Sequence, residues 1–278
     1  MTVRNQVDSL KQRIIGAVGI PALLQVLDDI GRLESEHGHS DDIDDLRLDA
    51  FHALATLTQN SPSEAEPIMI QRLLPLCLRA RGEWGVPHPV RRYDEALSAW
   101  LDSFSTTQRF ALRAAVLHAL VESLTGPTPA KACRLIGMLS YRDDRAFTRL
   151  LNLAQVGDNA IRRISLGTLV TLGVPPSNRD SLVRFWLELA SADPWDFDLL
   201  GAAKLLASPE ILDFILDRWL TAQNLRDSDD NRKTMMLHLA IAIPATIAEQ
   251  FPSDIELQDR VWNRLRDLER MALLRYRT

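Results

Sequence analysis

The 278-residue chain is 46% hydrophobic and 25% charged, with 12 Gly and 14 Pro, a balance that fits an ordered globular protein and excludes a disordered or collagen-like one. Its net charge of −5 excludes a surface that attracts phosphate throughout. Cys77 and Cys133 stand singly in apolar stretches, without zinc-site or disulfide spacing, and no run approaches the roughly 18 apolar residues of a membrane span, so a cytoplasmic protein with no membrane partner is expected.

Along the chain, periodicity of three and four residues predicts helix after helix, with no alternating strand pattern. Residues 28 to 49 carry nine acids (Asp28, Asp29, Glu34, Glu36, Asp41, Asp42, Asp44, Asp45, Asp49) against Arg32 and Arg47, which makes this end acidic. Inside it, His37-Gly-His39-Ser-Asp41-Asp42 has metal-ligating residue types but not the spacing of a closed site, and it reads as a solvated loop. Ser61-Pro-Ser-Glu64 sets an N-cap serine, a first-turn proline and an acid at the third position, so a helix is expected from about residue 62.

The next segment, Arg79-Ala-Arg81-Gly-Glu-Trp84-Gly-Val-Pro-His88-Pro-Val-Arg91-Arg92-Tyr93, interleaves arginines with aromatics around glycine and proline. Trp, Tyr and Arg dominate interface hot spots, so Arg79, Arg81, Trp84, His88, Arg91, Arg92 and Tyr93 are the candidate partner-binding residues.

Further cap signals place helix starts near 106 (Ser105 to Gln108), 129 (Thr128-Pro129), 194 (Asp193-Pro194), 209 (Ser208-Pro209) and 254 (Ser253 to Glu256). The stretch 131 to 163 is basic, and Arg134, Arg142, Arg145, Arg149 and Arg163 form a candidate basic surface. Arginine supplies 28 of the 32 basic residues and is spread along the chain, as codon bias in a GC-rich bacterial genome would produce. Leu182, Phe185, Trp186, Leu189 and Ala190 mark one wide apolar stripe; Ile211, Leu212, Ile215, Leu216, Trp219 and Leu220 mark a second. Leu237 to Pro244 is nearly all apolar and predicts an internal helix, kinked or interrupted at the proline.

The stretch Arg149-Leu-Leu-Asn-Leu-Ala-Gln-Val-Gly-Asp158-Asn-Ala-Ile-Arg162-Arg-Ile-Ser-Leu-Gly-Thr-Leu-Val-Thr-Leu-Gly173 resembles a HEAT unit: an apolar helix, a short turn with Asp, and an Arg early in a second helix. Asp45-Leu-Arg47, Arg113 and Asp230-Asn-Arg232, each before an apolar helix, are weaker echoes. The resemblance implies an all-α fold, a right-handed α-solenoid of about seven HEAT-like helix pairs at roughly 40 residues each, forming one domain over 1–278. It also implies that Asp158 and Arg162 pair to tie one repeat to the next.

Catalytic signatures are missing from the sequence: there is no Gly-rich phosphate loop, Gly-x-Ser-x-Gly elbow or His-Glu-x-x-His pair, and no cofactor or metal is expected. Asp193, Asp196 and Asp198 lack the glycine and final Glu of a calcium loop and read as cap and first-turn acids. His52, His118 and His238 read as core or interface histidines on apolar faces. The resemblance implies a habit of binding proteins, so the expected function is an interaction scaffold or regulatory adaptor with a protein partner. One alternative is a nucleic-acid-binding solenoid similar to HEAT-like alkylpurine DNA glycosylases, which the acidic net charge disfavours. Another is a sensor or adaptor within a bacterial defence or signalling assembly.

Overall fold

The structure, a computed structural model, describes residues 3–79, 89–192, 197–220 and 241–275. The described residues are helical with no strand, and the chain forms two compact units, Met1–Tyr141 and Arg142–Thr278.

In the first unit, α1 (Val3–Ile15) and α2 (Ile20–His37) form a hairpin over residues 16–19. Leu23, Val26, Leu27, Ile30 and Leu33 recur at three and four on α2, and all are buried. Gly38 ends α2 at φ 85°, a backbone conformation that any side chain would strain, and its amide bonds to the Glu34 carbonyl at 2.8 Å. The chain thereby turns within three residues into α3 (Asp41–Thr58), whose first-turn amide at Ile43 is accepted by the Ser40 side chain. The next helix, Pro62 to Leu78, comprises α4 (Pro62–Ile68), a π-helical turn (Met69–Leu73) and α5 (Leu74–Leu78). Pro67, lying inside it, cannot donate the usual backbone hydrogen bond, and the widened turn follows immediately. Then come α6 (Pro89–Asp102), α7 (Thr106–Ser123) and α8 (Pro129–Leu139).

Packing in this unit follows chain order. α1 and α2 both pack on α3, α3 on α4 and α6, α4 on α7, and α7 on α8. The α3–α6 contact shows how specific it is: Trp100 stacks 6.3 Å from Phe51 and donates its indole N–H to Thr58 Oγ1 at 3.1 Å. The Thr58 hydroxyl in turn donates to the Leu54 carbonyl at 2.8 Å, so both the indole N–H and the hydroxyl of this pair are hydrogen-bonded.

The second unit contains α9 (Asp144–Val156), α10 (Asn159–Thr171), α11 (Pro176–Ala192), α12 (Phe197–Leu206), α13 (Pro209–Phe214) followed by a π-helical turn (Ile215–Trp219), a helical stretch over 241–248, and α14 (Ile255–Arg275). α10 packs on α9, α11 and α12, and α11 packs on α12 and α13. Gly157 allows the tight α9–α10 turn, because an added Cβ would lie 2.7 Å from the Leu153 carbonyl. Trp186 is wholly buried, with its indole N–H on the Leu199 carbonyl at 2.7 Å and its ring edge-on to Phe214 at 5.6 Å.

The expected helix starts near 62, 106, 129 and 209 coincide with α4, α7, α8 and α13, while the one near 194 lies outside the described residues. Cap chemistry differs in detail. Ser208 accepts its helix's amide from Ile211, whereas the side chains of Ser61, Ser105 and Thr128 make no capping bond. At the last helix Asp254, one residue beyond the expected Ser253, accepts the Leu257 amide at 2.9 Å, since a carboxylate is the stronger acceptor. Leu182, Trp186, Leu189 and Ala190 of the first stripe are buried, as are Ile211, Leu212, Ile215, Leu216 and Leu220 of the second. Phe185 is half-buried, and the Trp219 side chain lies outside the described residues. Of the expected internal helix, residues 237–240 lie outside the described residues, and from 241 the helix runs on through the buried Pro244 to 248, so it is not interrupted at the proline.

The Asp158–Arg162 pair is a correction. Asp158 Oδ1 caps α10 by accepting the Ile161 amide at 2.9 Å. Arg162 instead donates to the Ala154 carbonyl of α9 at 3.0 Å and to Glu188 of α11 at 2.8 Å. A capping carboxylate is turned toward its own first-turn amides, away from a side chain one turn on. Arg162 still ties helices together, through other partners.

Candidate functional site

Among the described residues, a dense polar cluster lies where the α2–α3 turn meets the ends of α5 and α6. Arg47, 5% exposed on α3, is its centre: its guanidinium lies 2.5 Å from Glu34 Oε2 and 3.5 Å from Asp44 Oδ1. Asp44 is buried and accepts the Tyr93 hydroxyl proton at 2.5 Å. His39 lies between the two carboxylates, Nδ1 at 3.2 Å from Glu34 and Nε2 at 3.3 Å from Asp44. The second contact is off-axis for a hydrogen bond, so Asp44 Oδ2 accepts none. Arg79, just beyond α5, reaches Glu34 at 3.2 Å, and Arg92 of α6 pairs with Asp45.

Helix geometry brings these groups together. Asp44 and Arg47 are one turn apart on α3, and the Gly38 turn folds Glu34 and His39 back over them. The hydrogen bond from Arg47 holds the Glu34 carboxyl down at about 2, well below its ordinary range. Burial would lower Arg47, but bonding to Glu34 more than reverses that, so the cation is held firmly. Burial and the neighbouring Asp44 carboxylate push the Tyr93 hydroxyl up and keep it a donor. The result is a charge-balanced clasp joining α2, α3 and the two ends of the α5–α6 connection.

Arg79, Arg92 and Tyr93, three of the candidate binding residues, belong to this clasp, with Tyr93 buried in the helix layer. Arg81, Trp84 and His88 lie outside the described residues, as does the Arg91 side chain. His39, expected in a solvated loop, is exposed as a residue, while its ring lies against Glu34 and Asp44. Sequence reading missed Glu34, His39, Asp44 and Arg47 as a group. The available signal was the acid-rich run itself, in which Arg47 is one of only two cations. Conversely, His52 and His118 sit on exposed faces of α3 and α7, since helical phase turns them outward from the neighbouring Phe51 and Leu117. His238 lies outside the described residues.

The candidate basic residues divide between the units. Arg134 is exposed on α8 of the first unit. In the second, Arg145 and Arg149 share one exposed face of α9, Arg142 stacks over the Phe147 ring at 5.5 Å, and Arg163 is half-buried on α10 with its Nε shielded. Asp198 is a first-turn acid of α12, while Asp193 and Asp196 lie outside the described residues.

A smaller, part-buried cluster joins α5, α6 and α8. Lys131 pairs with Asp94, beside the fully buried Cys77. Burial pushes the Cys77 thiol up, and burial raises Asp94 despite the Lys131 ammonium. A buried protonated thiol is a poor nucleophile. Among the described residues, no three His, Cys, Asp or Glu side chains are grouped to hold a metal ion, and no helix is long and apolar enough to cross a membrane.

The fold and this cluster define an all-helical protein with a buried ionic clasp. No protein-family profile matches the chain, and neither a curated protein nor a solved structure matches it.

Proposed function

We propose that the chain is a non-enzymatic interaction scaffold or regulatory adaptor, a right-handed α-solenoid of HEAT-like helix pairs that binds a protein partner. The observation that supports it is the order of packing. Within each unit the principal contacts join helices that are neighbours, or two or three places apart, along the chain. Repeat arrays bury their apolar faces in this way. The clasp adds a reason to place the partner at the arginine-rich connection. Glu34 and Asp45 hold its two ends through Arg79 and Arg92, so Arg81, Trp84, His88 and Arg91 between them are the proposed anchors.

The test is affinity purification of the tagged full chain from its native organism, with mass spectrometry and nucleic-acid staining of what co-purifies, in parent and Trp84→Ala forms. A stoichiometric protein partner that is lost with Trp84→Ala, while the thermal midpoint holds, is the expected result. Recovery of nucleic acid alone, or a partner indifferent to Trp84, refutes it.

The shared face of Arg145 and Arg149 on α9 favours one second reading, a nucleic-acid-binding solenoid. A protein that neutralises several phosphates loses affinity steeply with salt as counterions are released. We expect only weak binding to random duplex DNA at physiological salt. Tight, salt-steep binding abolished by Arg145→Glu with Arg149→Glu would replace the scaffold reading.

A further inference from the structure

Between α1 and α2 opens a groove of about 270 Å³ whose two ends differ in chemistry. At one end two guanidiniums converge on a single carboxylate: Arg13 lies 2.7 Å from Asp29 Oδ2, and Arg32 pairs with Asp29 Oδ1. Asp29 also accepts a bond from Gln25 at 3.2 Å. Burial draws the Asp29 carboxyl upward, but these hydrogen bonds and the two cations more than reverse it, so the acid is charged. Each guanidinium carries five N–H donors in a fork suited to carboxylate, so most of the donors here remain for another oxyanion.

The other end offers acceptors. The Glu36 carboxylate is 60% exposed, with the His37 ring 3.8 Å away. Gln6 also lines the groove, and its Oε1 is shielded by its surroundings and receives no hydrogen bond. Leu10 and Leu33 form the apolar floor between the ends. Gln6 to Arg13, and Asp29 to Glu36, are each seven residues along their helices, about 10 Å at 1.5 Å per residue. The four charged side chains sum to zero. A phosphate would meet two carboxylates, and a divalent cation two guanidiniums.

We infer that this groove binds a short zwitterionic ligand of dipeptide size, its carboxylate on Arg13 and Arg32, its ammonium at Glu36 and Gln6, and its aliphatic body over Leu10 and Leu33. An extended dipeptide spans about 7 Å, and the long side chains at either end reach inward over the remainder. The site is independent of the scaffold reading and of its proposed partner surface.

The test is isothermal titration calorimetry of the full chain with alanyl-leucine, with its N-acetylated and C-amidated forms, and with inorganic phosphate. The expected result is saturable one-to-one binding with a dissociation constant of about 1 mM or tighter. Blocking either terminus should weaken it by roughly tenfold or more, the loss expected for a removed charge-assisted contact. Arg32→Gln and Glu36→Gln, both on exposed side chains, should weaken it similarly while circular dichroism and the thermal midpoint stay unchanged. No heat of binding at millimolar dipeptide, equal affinity for blocked and free forms, or equal affinity for phosphate would each overturn the inference.

Discussion

Replacing Arg47 with methionine removes the centre of the clasp while keeping an unbranched stem and a good helix former on α3. Arg47 is the cation closest to Glu34, at 2.5 Å, and lies 3.5 Å from the buried Asp44. Removing one member of a buried ionic group leaves the other charge without compensation and costs about 3 to 5 kcal/mol. The lower end applies here, because Glu34 keeps Arg79 and His39, and Asp44 keeps the Tyr93 hydroxyl. The lowered Glu34 carboxyl gives a consistent scale: the Arg47 hydrogen bond and charge, with hydrogen bonds from His39 and Arg79, bring it from 4.5 to about 2, which corresponds to about 3 kcal/mol at 1.36 kcal/mol per unit. Since the folded value lies below the unfolded one, this stability is fully present above about pH 4.5 and is lost as pH falls towards about 2. Urea unfolding of the full chain, followed by far-UV circular dichroism near neutrality and near pH 3, measures both effects. Arg47→Met should be destabilised by about 3 kcal/mol at neutral pH and show a flatter acid dependence. Adding Asp44→Asn should restore part of the loss, by removing the charge left uncompensated. A single variant within about 0.5 kcal/mol of the parent, or one with an unchanged acid profile, would refute the buried-clasp argument.

Three further outcomes are expected. Trp186→Phe keeps the ring edge on Phe214 but leaves the Leu199 carbonyl without its indole donor, and should cost about 1 to 3 kcal/mol in the same assay. Asp158→Ala should cost about 1 kcal/mol as a lost helix cap. A double-mutant cycle with Arg162→Ala should show coupling below about 0.5 kcal/mol, because the two side chains have different partners; coupling above 1 kcal/mol would restore the direct pair. Cys77 and Cys133, both fully buried, should resist a thiol reagent in the folded chain and react together once denaturant is added; rapid native-state labelling of either would contradict their placement.

The helices and their starts were legible in the residue order because they depend on local physics. Apolar residues at three and four, and a cap followed by proline at Ser208-Pro209, act within a turn or two of backbone and need no distant partner. Core residues such as Leu182, Trp186 and Ile211 follow from the same periodicity, since a wide apolar stripe must be covered by a neighbour. What each charged side chain does is set by three-dimensional neighbours. Asp158 and Arg162 have helical pair spacing, yet one caps its own helix and the other crosses to Glu188. Arg79, Arg92 and Tyr93 read alike as interface anchors, but Tyr93 is buried on Asp44 and both arginines are engaged by acids 45 to 47 residues away in the chain. The acidic run at 28 to 49 resolves in the same way, with Glu34, Asp44 and Arg47 drawn into a buried clasp while Asp29 is held by Arg13 of another helix. Periodicity is a property of one helix and is written in its sequence. The partner of a charge depends on which helices pack and at what phase, and only the tertiary structure decides that.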